Sequence, residues 1–464
     1  MKISIKNLGV IRQAELTLGD LTIICGKNNT GKTYVTYALY GFLAFWKNFL
    51  QIEIPKDKID HLLTDGSITL DLNNYVKKVS NILQNGCQEF TSQLSKVFAS
   101  SPKRFIESSF AIEIDAADIS LKNSFRRAPS TATTGLFTIE KKSNSSSVVV
   151  TLLIEKDNIK ISQEVVNRII GDSIKDIIFG GVFPKPFIAS AERTGAAIFR
   201  KELDFARNRL LEAMNLTEKN IDPLTLFSNV YSDYALPVKS EVGFIRQLED
   251  LAKKDSFISE QHESVLKDFA DIIGGDYTVT KDNEFFYEPK DQRVKLTMDE
   301  SSSSVRSLLD IGFYLRYVAE EGDILMVDEP ELNLHPENQR RVARLFASLV
   351  NIGIKVFITT HSDYIIKELN TLILLNKNDK RLKELAKRAN YKETELLDYK
   401  KVKVYIAEAA LQAVGGKQKR SKCQTLIPAD IDATGIEVRC FDTTIENMNQ
   451  IQEEIIWGGD DSAN

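Results

Sequence analysis

The stretch LTIICGKNNTGKT, residues 21 to 33, leaves the chain few choices of fold. Its first five residues read as a short strand buried on both faces. The next eight fit G-x-x-x-x-G-K-[ST] at every fixed position, and TYVTYALYGFLAFWKNFL after them reads as a largely apolar helix. Strand, glycine loop and helix in that order make a phosphate cradle. The glycines let main-chain N–H groups turn inward around phosphate oxygens, and the helix N-terminus adds its partial positive charge. Gly26, Lys27, Asn28, Asn29, Thr30, Gly31, Lys32 and Thr33 are therefore the expected nucleotide-binding residues. Lys32 is placed to reach the β- and γ-phosphates of ATP, and the Thr33 hydroxyl to ligate Mg²⁺.

A second segment supplies what a triphosphate site lacks. In ILMVDEPELNLHP, residues 324 to 336, Asp328 and Glu329 stand side by side at the end of an apolar run. Two adjacent carboxylates there are costly to desolvate unless a cation offsets one of them. A nucleotide-bound Mg²⁺ does so for Asp328, and Glu329 then faces the γ-phosphate as a general base. The competing reading is a pair of solvated acids at a turn. In FITTHS, a further buried strand is followed by His361, which is expected to hydrogen-bond the γ-phosphate, the competing reading being a structural histidine.

The rest of the chain sets the frame. Before the glycine loop, residues 2 to 25 read as three short strands. Residues 50 to about 130 look mainly helical, and 135 to 162 read as a strand, a Ser/Asn turn and a hairpin. FPKPFIASAERTG begins as a Pro-punctuated segment and becomes a helix. SSSSVRSLLDIGFYLRYVAE opens as a polar turn and continues as one helix. DILMVD and IKVFITT are strands flanking the helix PENQRRVARLFASLV. Strands alternating with helices predict an α/β fold with a mostly parallel sheet. The expected division is 1–49 (glycine-loop lobe), 50–274 (helical and β insertion), 275–375 (second lobe) and 376–464 (a small C-terminal extension for partner binding or oligomerisation). A net charge of −5, from 60 basic and 65 acidic residues, argues against a chain coated in basic surface for nucleic acid. Cys25, Cys87, Cys423 and Cys440 are widely spaced and read as reduced thiols of a cytoplasmic protein. The charged N-terminus is not a signal peptide, and no stretch reaches the ~18 apolar residues of a membrane span.

GKNNTGKT, ILMVDEPELNLHP and FITTHSDYIIKELN together resemble ABC-type ATPase heads, and within them the soluble group that includes the OLD nucleases, RecF and the SMC proteins. The resemblance implies a head with an antiparallel β-subdomain beside the parallel sheet, and a homo-oligomer in which two heads sandwich two ATP molecules. It implies a D-loop at NLHP with Asn333 and His335 near the interface, although His335 before Pro336 is equally a helix cap. It implies a signature motif that reaches the other head's γ-phosphate. ESSSSVRSLL is the candidate, with Ser301, Ser302, Ser303 and Arg306, and it departs from the family pattern in having no glycine. ASAERTG resembles a segment common in the group, so Arg193 is expected either to contact phosphate or the neighbouring head, or to be structural.

OLD-type proteins carry a metal-dependent nuclease after the ATPase. Glu408, Asp430 and Asp432 have the residue types and order for it, but only about 90 residues follow the ATPase core. A remnant, or plain carboxylates in a small β-element, is the expected reading. GGKQKRSK, residues 415 to 422, is a basic loop that suits DNA phosphates, an acidic partner or solvent. The motifs are similar to those of stand-alone ATPases of two-gene anti-phage systems such as PARIS and Septu. That resemblance implies a separate effector, a nuclease or toxin, and a phage product as trigger. The alternatives are a RecF-like DNA-binding repair ATPase and an ATP-dependent nuclease in one chain.

Overall fold

The computed structural model describes residues 1–128, 137–153, 162–198, 234–280, 284–413, 420–437 and 448–456. The second arm of the expected hairpin (154–161), most of the basic loop (414–419), Cys440 and the terminal GGDDSAN lie outside the described residues.

The strands in chain order are β1 (Lys2–Leu8), β2 (Ile11–Thr17), β3 (Leu21–Cys25), β4 (Ser67–Asp71), β5 (Ser109–Glu113), β6 (Phe125–Arg127), β7 (Phe137–Lys141), β8 (Ser147–Leu152), β9 (Pro186–Ala189), β10 (Gly275–Val279), β11 (Phe285–Pro289), β12 (Leu296–Thr297), β13 (Ile324–Asp328), β14 (Lys355–Thr360), β15 (Val402–Ala413) and β16 (Arg420–Pro428). Nine of them form one sheet in the order β5-β1-β2-β16-β15-β3-β14-β13-β9. From β15 to β9 every neighbouring pair is parallel. The β5-β1-β2 end is antiparallel. Three smaller antiparallel sheets stand apart from it: β10-β11-β12, β4-β8-β7-β6, and a two-stranded pair of Ile431–Asp432 with Gly435–Ile436. This is the expected α/β class.

Burial on both faces explains the apolar runs. Along β3 and β13, Ile24, Ile324 and Met326 point into one core, and Ile23, Cys25, Leu325 and Val327 into the other. The helix Lys32–Phe49 packs in the first core, and Pro336–Asn351 and Asp363–Leu375 pack in the second. Among the described residues, no helix is long and apolar enough to cross a membrane.

Several local expectations change. Residues 50 to 130 contain β4, β5 and β6 as well as helices. The single helix expected after the serine run is two, Ser303–Ser307 and Leu309–Tyr317. The Pro-punctuated segment holds β9, a terminal strand of the sheet, where a proline's missing N–H costs no ladder bond. The expected insertion thus supplies β5 and β9 to the main sheet. The expected C-terminal extension supplies β15 and β16, and β15 lies directly beside β3.

Register brings the chemistry together. Cys25 pairs with Thr360 and with Ile406, Asp328 pairs with Thr359, and Val327 pairs with Ala189. The residues just beyond these strand ends therefore share one edge of the sheet, where open α/β folds bind ligands.

Candidate nucleotide-binding and hydrolysis site

Gly26 and Gly31 have φ of 140° and 96°, conformations that only glycine adopts at little cost. A Cβ on Gly26 would sit 2.5 Å from the Ala407 carbonyl oxygen, so β15 presses directly on the start of the loop. Gly31 precedes the helix Lys32–Phe49, while Lys27, Asn28 and Asn29 are exposed at the loop's crest. Lys32 is buried. Its Nζ donates to the Lys27 carbonyl at 2.8 Å and the Gly26 carbonyl at 3.1 Å. Burial lowers its pKa, and the Glu329, Asp328 and Glu331 carboxylates oppose that shift. The ammonium thus rests on the loop's own carbonyls, and a phosphate would offer it a better partner.

Asp328 is 1% exposed. The Thr359 hydroxyl donates to Oδ1, while Oδ2 is buried without a hydrogen-bond partner. Burial raises the Asp328 pKa, with the Thr359 and Thr33 hydroxyls acting against it. A buried, unsatisfied carboxylate oxygen close to a threonine hydroxyl fits a divalent cation, whose charge would remove the cost of desolvation. Glu329 follows with φ 51°, a left-handed conformation costing a non-glycine residue about 1–2 kcal/mol. Its Oε1 lies 3.2 Å from His361 Nε2, and the hydrogen bond to His361 holds its pKa below the usual carboxylate range. This contact favours the charged form of the Glu329 carboxyl.

The structure brings Lys32, Thr33, Asp328, Glu329 and His361 to one place. The other predicted residues are placed differently. His335 caps Pro336–Asn351, its Nδ1 accepting from the Glu337 N–H at 3.3 Å, and Asn333 is exposed with φ 61°. Ser301 donates to the Thr297 carbonyl at 2.7 Å, and Ser302 caps Ser303–Ser307. Arg306 folds back onto the Met298 and Ser301 carbonyls, and Ser303 is exposed at the helix start. Arg193 gives its guanidinium to four main-chain carbonyls of its own chain, a structural use rather than a phosphate contact. Glu408, Asp430 and Asp432 are exposed, and Asp432 is occupied by the Thr434 N–H at 2.6 Å. Among the described residues, no group of three or more His, Cys, Asp or Glu is placed to hold a metal.

The profile of the AAA ATPase domain family matches residues 1–366. The chain belongs to this family. UvrABC system protein A of Clostridium acetobutylicum is 25% identical over 149 residues, a match covering 31% of this chain and 14% of that protein. The aligned region is thus a small part of that relative. Among solved structures, an SMC head bound to the C-winged helix domain of ScpA aligns over 92% of this chain and 97% of its own, with 10% identity and a TM-score of 0.35. The SMC head domain from Thermotoga maritima aligns over 92% and 98%, with 10% identity and a TM-score of 0.32.

The ATPase domain also holds site residues that sequence reasoning missed. Glu331 accepts the His361 main-chain N–H at 2.6 Å and the Thr360 hydroxyl at 2.9 Å, so it fixes the segment that carries His361. Burial raises its pKa. Glu192 accepts from the Tyr37 hydroxyl at 2.9 Å, and its charge adds to the upward shift of Asp328. Glu331 was legible as a third acid in DEPE. For Glu192 the only local signal was its place beside Arg193.

Proposed function

We propose that this ATPase domain binds ATP with Mg²⁺ and hydrolyses it. The observation that carries the reading is the convergence at one sheet edge of the glycine loop, a buried Asp328 with an unsatisfied oxygen, and an ionised Glu329 held by His361. Loop N–H groups and the N-terminus of Lys32–Phe49 receive the β- and γ-phosphates. Lys32 exchanges the Gly26 and Lys27 carbonyls for phosphate oxygens. Thr33 and Asp328 would hold a Mg²⁺, which would supply positive charge to the phosphate oxygens. Glu329 takes a proton from water as that water's oxygen bonds to the γ-phosphorus. The bond to the bridging oxygen breaks and leaves ADP. His361 and Glu331 keep the base aligned.

The reading extends to a pair of heads. Ser303 and Asn333 are exposed at helix and turn positions suited to a second copy's triphosphate, in line with the family resemblance of their motifs. The output is control of a separate effector, a nuclease or toxin, in a two-gene anti-phage system triggered by a phage product. Support for it comes from the motif resemblance alone.

Glu329→Gln tests the core. It should bind ATP normally, turn over about 10²–10⁴-fold more slowly and accumulate as an ATP-bound dimer by mass measurement. Near-normal turnover would place the base elsewhere. Turnover stimulated by duplex DNA with a steep salt dependence would favour a DNA-binding ATPase over effector control.

A further inference from the structure

Arg193 is 1% exposed, and its donors are spent on the protein's own backbone. Nε donates to the Ser307 carbonyl at 2.7 Å. Nη1 donates to the Ser190 and Asp328 carbonyls, each at 2.7 Å, and Nη2 to the Glu329 carbonyl at 2.8 Å. The acceptors belong to three places: the turn after β9, the helix Ser303–Ser307, and the turn bearing the two catalytic carboxylates. A planar guanidinium can bind acceptors that lie in divergent directions. A lysine, with three donors on a single nitrogen, cannot reach all four carbonyls at once.

Two further contacts make this a brace. Ser190 is gripped from its other side, because its N–H and hydroxyl both donate to Glu241, the hydroxyl at 2.7 Å. Glu241 lies on the helix Leu236–Arg246 and is buried, as is Asp310 on Leu309–Tyr317. Burial raises the pKa of both carboxyls, that of Asp310 to about 7, with the Arg193 charge acting against the shift, and neither Asp310 oxygen has a hydrogen-bond partner. The cation therefore offsets only part of the cost of burying these two acids.

We propose that Arg193 is a positioning residue for hydrolysis. It pins the main chain at Asp328 and Glu329, holding Glu329 in its left-handed turn against His361, and ties that turn to the Ser303–Ser307 helix and, through Ser190 and Glu241, to the Leu236–Arg246 helix. A shift of either helix thereby alters the catalytic base without touching the nucleotide. The inference rests on the hydrolytic reading of the site and deepens it.

Arg193→Lys keeps the charge facing Asp310 and Glu241 but loses the fork. Turnover should fall about 10²-fold, the usual effect of a misplacement of about 1 Å, while the affinity for a non-hydrolysable ATP analogue stays within about threefold. In the Glu329→Gln background the same substitution should cost less than about threefold more, because it acts through Glu329. Glu241→Ala reads the brace from the helix side and applies equally if Arg193→Lys does not fold. It should lower kcat several-fold at unchanged analogue affinity. The proposal is overturned by wild-type kcat in folded Arg193→Lys or Glu241→Ala, by losses that multiply independently in the double variant, or by analogue affinity falling in step with the melting temperature. Wild-type turnover in Glu329→Gln alone would instead overturn the assignment of Glu329 as the base, and absence of ATP turnover in the wild type would overturn the hydrolytic reading.

Discussion

Lys32 is held at a cost in the free protein, and that cost makes a sharp prediction. Its ammonium is buried on two carbonyls and has no carboxylate within 4 Å among the described ion pairs. Burial lowers its pKa. The folded state therefore binds this proton less tightly than the unfolded chain does. Stability rises as pH climbs towards the ordinary lysine value, and the charged form is penalised throughout the neutral range. Lys32→Met removes the charge and retains an apolar stem of similar length. The unliganded variant should match or exceed the wild type, within roughly 1 kcal/mol, since the two lost hydrogen bonds and the relieved desolvation nearly cancel. The liganded comparison should go the other way. At ATP 100-fold above the wild-type Kd, binding adds about 2.7 kcal/mol to stability. For a 464-residue chain that raises Tm by roughly 3 °C. A 100-fold weaker Kd leaves only about 0.4 kcal/mol of that linkage. The assay is a thermal melt with and without MgATP. An unliganded Tm several degrees below wild type would refute the argument about the buried charge. A full ATP-dependent shift in the variant would refute the placing of Lys32 on the phosphates.

Two other perturbations separate strain from chemistry. Gly26→Ala should destabilise by at least about 2 kcal/mol and weaken ATP binding, because its Cβ meets a β15 carbonyl at 2.5 Å. Gly66→Ala, also at positive φ but facing open space, should cost only about 1 kcal/mol in urea unfolding; equal costs would deny that β15 presses on the loop. Asp323, buried just ahead of β13, accepts the Glu320 N–H at 3.1 Å, and burial pushes its pKa up to about 6. The folded carboxyl thus holds its proton longer than the unfolded one, and its contribution to stability falls as pH rises from about 4 to about 6 and is level above that. Asp323→Asn should gain on the order of 3 kcal/mol relative to wild type between pH 4 and pH 7; parallel pH–stability curves for the two proteins would contradict this.

Much of this molecule is written in short-range patterns. The glycine loop, the carboxylates at 328 and 329 and the strand leading to His361 are recognisable because backbone conformation, strand burial and ligand chemistry each demand particular residue types within a few positions. The helices Lys32–Phe49 and Pro336–Asn351 follow from periodicity in the same way. β9 escaped that reading because its prolines mimic a loop, and it is tolerated only by lying at the sheet's end. The docking of β15 beside β3 depends on partners nearly 400 residues apart, and nothing within VKVYIAEAA states which neighbour it takes. Arg193 shows the limit most clearly. Its acceptors are main-chain carbonyls, which every residue possesses, so no side-chain identity at 190, 307, 328 or 329 could announce them. Local sequence determined which groups can bind a triphosphate. Only tertiary packing decided which buried groups hold them in place, because that depends on where carbonyls point after distant segments have met.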